Sequence, residues 1–190
     1  MSWIVFIFLV LYGGVRTTLW LRGQLRYLLL RRELPGPPGP LALPAHLPQG
    51  LQRLVELSHG TRTSLVDALR SISTVLITDP DVPLGCVRDG RYRVAILTAW
   101  SATLQCMRSL DALDESDRLR LESVGCEVDR FRAAVVRLGP SVSVAKRARP
   151  LDPFDVPSVR SARGAVEAVL HELERLEGRL GVSPHDPYRA

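Results

Sequence analysis

The stretch LESVGCEVDRFRAAVVRLGP, residues 121–140, decides how the chain is read. Leu121, Val124, Val128, Phe131, Val135 and Leu138 recur at alternating spacings of three and four. That period puts them on one face of an α-helix as a seam of about two and a half heptads. Gly139-Pro140 is read as its end. A face of this kind must be buried against others like it, which predicts partner faces elsewhere in the chain.

They lie on both sides. Upstream, DESDRLRLESV (114–124) opens with an acidic turn that complements a helix dipole. Residues 91–112 are read as the most apolar helix, with a stripe of Ile96, Leu97, Trp100, Leu104, Met107 and Leu110 and Asp89 as N-cap. CVRDGRYRV (86–94) competes as a hairpin around Asp89-Gly90, and the helix is preferred because the apolar run continues at helical length. Leu51, Leu54, Leu65, Leu69, Ile72 and Leu76 mark another helix. A break is expected in it at Gly60, with Thr61 or Thr63 as cap, and its end at Asp79-Pro80 and Pro83. Downstream, Val166, Val169, Leu170, Leu173, Leu176 and Leu180 share one face of a helix over about 159–180, closed by Gly181 and Pro184.

The expected fold is all-α: an N-terminal transmembrane helix, a proline-rich linker and a cytoplasmic bundle of about four helices. The domains are read as an anchor with a basic juxtamembrane end (1–32), the linker (33–48), the bundle (49–181) and a flexible tail (182–190). The connection 139–158 is long for a bundle and is read as a binding loop or a crossover.

PGPPGPLALPAHLP (35–48) holds six prolines, which exclude helix and favour polyproline II. Its reach is ~40 Å, a stiff spacer in preference to a ligand for a proline-reading domain.

Charge separates the parts. The 190 residues carry a formal net charge of +5. Residues 1–32 contain Arg16, Arg22, Arg26, Arg31 and Arg32 and no acidic residue, so the remainder is neutral. Before those arginines runs WIVFIFLVLYGGV (3–15), and the apolar span extends to Leu21 with Arg16 as its one charge. That length suits a hydrocarbon core of ~30 Å. A signal peptide lacks its basic start and small-residue cleavage site here. An interfacial helix would gather its arginines on one face. An uncleaved single-pass anchor is the reading taken, with Arg16, Trp20, Arg22, Arg26, Tyr27, Arg31 and Arg32 at the membrane interface. The arginines place the N-terminus outside and the body in the cytoplasm, at a bacterial inner membrane. All but one of the 25 basic residues are arginine, Lys146 is the one lysine, and there is no asparagine, as in a GC-rich genome. Arginine content is therefore poor evidence for nucleic acid, which is not expected as a partner.

No catalytic or metal residue is assigned, and no cofactor is expected. Cys86, Cys106 and Cys126 form no Cys-x-x-Cys pair, and Cys106 and Cys126 are read as helical core residues. Glu167, His171 and Glu174 share a helix face opposite the apolar stripe and lack ligands from other helices. Arg53 and His59 show a spacing loosely similar to the Arg-x4-6-His element of HEPN-type helical ribonucleases. Arg179 and His185 show it too, as chance allows in an arginine-rich chain, so no family is read from it. Lys146, Arg147 and Arg149 form a small basic patch, read first as a solvated loop. The function expected is a membrane-anchored protein-interaction or scaffold module, able to self-associate, touching lipid through residues 1–32. The alternatives are a small membrane-tethered nuclease-like enzyme using Arg53, His59 or His171, and a structural subunit of a membrane complex.

Overall fold

A computed structural model describes residues 12–15, 17–18, 41, 43–44, 46–77, 86–147 and 155–182. Among them there are no strands. Beyond the N-terminal residues, five helices follow one another: α1 (Gln49–Ile77), α2 (Cys86–Asp111), α3 (Glu115–Ser123), α4 (Val128–Ala145) and α5 (Val156–Arg179).

Four of them close a ring. α1 packs on α2 and α5, and α4 packs on α2 and α5. The cross-contacts set the directions. Thr61 reaches Ala102 and Gly50 abuts Leu113, so α2 runs back along α1. Ser58 meets Glu177, Arg132 meets Asp111 and Arg179 meets Val124 in the same descending manner. The result is an up-down-up-down bundle, with short α3 lying across the end where α1 begins and α5 finishes.

The opening stretch is not one helix. α3 ends at Ser123 and α4 starts at Val128. Gly125 has φ +72°, and its N–H bonds to Glu122 while that of Cys126 bonds to Leu121, at 2.8 and 2.9 Å. This is a Schellman turn, which a glycine in the left-handed region makes without a Cβ penalty. Val124 consequently leaves the core, and Cys126 sits half-buried in the turn rather than in a helix. Nor does Gly139-Pro140 end the seam: α4 continues to Ala145. Proline removes the bond to the Val136 carbonyl. Both residues face outward, Val136 being 73% exposed, so water can satisfy that carbonyl. The presumed loop from 139 is thus helical for its first seven residues, 139–145.

Three further expectations are corrected. α1 runs through Gly60 unbroken, and Thr61 and Thr63 donate to the carbonyls of Leu57 and His59 instead of capping. The helix preferred to the hairpin is present, but it begins at Cys86 rather than 91, so Asp89 lies inside it instead of capping it. The buried line of α2 is Tyr92, Ile96, Ala99, Thr103, Cys106 and Leu110, while Leu97, Trp100 and Met107 only flank it.

Other readings hold. Asp114 is the N-cap of α3, its carboxylate accepting from the Asp117 N–H at 2.8 Å. All six residues of the predicted α5 stripe are buried. Gly181, at φ +74°, closes α5 with a second Schellman turn, in which Val182 bonds to Glu177 and is itself buried.

Leu41 and Leu43 pack against the core and Leu47 is buried in it, so the end of the proline-rich stretch lies on the bundle instead of standing off it. Gly50 follows in the first turn of α1. A Cβ there would collide with the Asp117 carboxylate, which lies against that helix start and opposes its positive dipole end.

No helix among the described residues is long and apolar enough to cross a membrane. Most of the 3–21 span lies outside the described residues, as do all the expected interface residues, Arg16, Trp20, Arg22, Arg26, Tyr27, Arg31 and Arg32. The described part of the span is short. Within it, residues 12–15 and 17–18 are helical.

Candidate functional site

The bundle does not gather the residues singled out from the sequence. Arg53 and His59 are six positions apart on the continuous α1, hence ~120° apart around its axis. His171 is exposed on α5, where Glu167 pairs with Arg163 and Glu174 with Arg62. No group of three or more His, Cys, Asp or Glu among the described residues is arranged to hold a metal ion. Lys146 is the C-cap of α4, and Arg147 pairs with Asp155 at 3.2 Å; Arg149 lies outside the described residues.

The fold instead assembles two polar clusters that no local pattern announces. In the first, Glu177 of α5 is only 2% exposed. Its carboxylate accepts from Ser58 at 2.6 Å and from Arg62 at 2.5 Å, both on α1. Arg62 also reaches Glu174 at 3.2 Å, leaving its Nε buried without a partner. Two charges taken from water need this degree of pairing. Ser58 and Glu177 are buried, and the group ties α1 to α5 and fixes their register. Across the core, burial pushes the Cys106 thiol up to about 12, and the Glu177 charge adds to it. Cys106 is therefore a protonated, inert thiol at neutral pH.

The second cluster lies at the opposite end. Tyr92 is fully buried and its hydroxyl has no hydrogen-bond partner. Burial raises it from 10.0 to about 12, with the charge of buried Asp155 as the lesser cause.

A groove of about 480 Å³ opens where the end of α2, α3 and the start of α4 meet. Leu110, Leu113, Leu121 and Val128 supply apolar surface, and Arg118 and Glu122 are among its charged residues. Its size lies within the range of binding pockets. Cys126 also faces it; burial raises that thiol, opposed by the Arg179 charge. The sequence signal for this groove is Gly125, whose left-handed backbone turns the chain between α3 and α4.

The chain matches no family model, no curated protein and no solved structure.

Proposed function

We propose that this is a single-pass membrane-anchored helical module that works by binding another protein, with its bundle on the cytoplasmic side. The observation that carries the anchor is the exposure of Tyr12 and Val15 on helical backbone, with nothing within 4 Å of where side chains at Gly13 and Gly14 would begin. An apolar stretch that no described residue covers is suited to lipid. Thr17 and Thr18 donate to the carbonyls of Gly13 and Gly14 at 2.8 and 2.7 Å, so their hydroxyls need no water. The groove beside α3 supplies a surface for a partner. The test is fractionation of the full chain with a reporter fused after Ala190. Retention in membranes after alkaline extraction, with alkaline phosphatase silent and a fluorescent protein bright at that position, is the expected result. Release by alkali, or an active phosphatase, would overturn the anchor or its orientation.

A further inference from the structure

Residues 33–190 sum to zero charge, but their acidic residues are unevenly spread along the chain. Residues 111–129 hold seven acidic residues and two arginines, and Arg130 and Arg132 of α4 pair with Glu127, Asp111 and Asp129 among them. Glu115, Arg118, Leu119 and Glu122 recur at helical spacing on one exposed face of α3. Arg118 is folded back onto the Asp111 carbonyl at 2.6 Å, whereas Glu115 and Glu122 make no ion pair among the described residues, and Leu119 between them is 56% exposed. An uncovered leucine between two unpaired carboxylates fits a basic segment that also carries leucines.

This chain has one nearby. GQLRYLLLRR, residues 23–32, carries Arg26, Arg31 and Arg32 with four leucines and no acid. The chain enters the bundle beside α3, where Gly50 abuts Asp117 and Leu47 is buried. Eight residues separate Arg32 from Leu41, which packs on the core. Fully extended, that distance is at most ~30 Å. Such a tether holds the two surfaces at an effective concentration on the order of millimolar.

We propose that the juxtamembrane segment 23–32 docks on the exposed face of α3 in the same chain, turning that end of the bundle toward the anchor. The proposal does not depend on the segment before it entering a bilayer.

The test uses the full chain in phosphatidylcholine vesicles containing phosphatidylglycerol. Cys86→Ser and Cys126→Ser leave only the buried Cys106, and Gln24→Cys with Ser123→Cys supplies the pair for a short bis-maleimide. An intramolecular cross-link is expected. Glu115→Lys with Glu122→Lys should reduce its yield about tenfold, each reversal replacing an attraction by a repulsion of the size of surface charge pairs. Adding Arg26→Glu and Arg31→Glu should restore it, which a merely unfolded variant would not do. A cross-link found only in dimers assigns the face to a second copy and overturns the proposal. So does the lack of any cross-link, which assigns the arginines to anionic lipid, or a yield indifferent to the charge reversals. Flotation of the same vesicles reads the anchor separately, so the two failures are distinguishable.

Discussion

At the residue scale, the most consequential side chain is Glu177. Its two oxygens are held by Ser58 and Arg62, so losing Arg62 strands a buried carboxylate, whereas losing Glu177 leaves Arg62 paired with the half-exposed Glu174. Arg62→Ala should cost about 3–5 kcal/mol in urea unfolding of the full chain, and Glu177→Ala less, because Arg62 keeps Glu174. Replacing both, as Arg62→Met with Glu177→Leu, should cost clearly less than the sum, because no orphan charge remains. Tyr92 and Cys106 set the alkaline limit. Both are held above their ordinary values, to about 12, so the folded chain keeps protons that the unfolded chain releases. Their stabilisation is complete below pH 9, and it is lost as pH rises from 9 toward 12. Tyr92→Phe should flatten the upper part of that loss in a pH series of melting temperatures. At pH 7 it should stabilise by about 1 kcal/mol, since it removes a buried hydroxyl without a partner.

At the scale of the element, turns and breaks carry the specific information. Gly125 and Gly181 have nearly the same φ, but a Cβ meets the Arg179 guanidinium at the first and nothing at the second. Gly181→Ala should therefore cost the left-handed strain alone, about 1 kcal/mol. Gly125→Ala should cost about 2 kcal/mol, because the Arg179 bond to the Val124 carbonyl (2.8 Å) is disturbed as well. Chemical denaturation of the pair checks the difference. Pro140→Ala should stabilise by about 2 kcal/mol: it restores the bond to Val136 and loses only some of proline's restraint on the unfolded chain. The stripe on α5 was legible because valine and leucine fill it without interruption. α2 was misread by part of a turn because its buried line includes Ala99, Thr103 and Cys106, while bulky Trp100 and Met107 sit beside it. The break at 124–127 was missed because Val124 and Val128 keep the helical period across a glycine whose conformation, rather than its polarity, ends α3. The Glu177 cluster was illegible in principle: Ser58 lies 119 positions from its partner, and only the closed ring brings them together.

At the scale of the whole molecule, an even number of long helices has a consequence for where the chain starts and stops. α1 begins and α5 ends at the same end of the bundle, the end crossed by α3, and the last described residue, Val182, is buried there beside its Schellman turn. The two termini of the folded body are therefore neighbours, although 135 positions separate Leu47 from Val182. The order of the helices is then a matter of wiring rather than of packing. A short bridge from residue 182 to residue 47, with the chain reopened elsewhere, would conserve each interhelical contact of the ring.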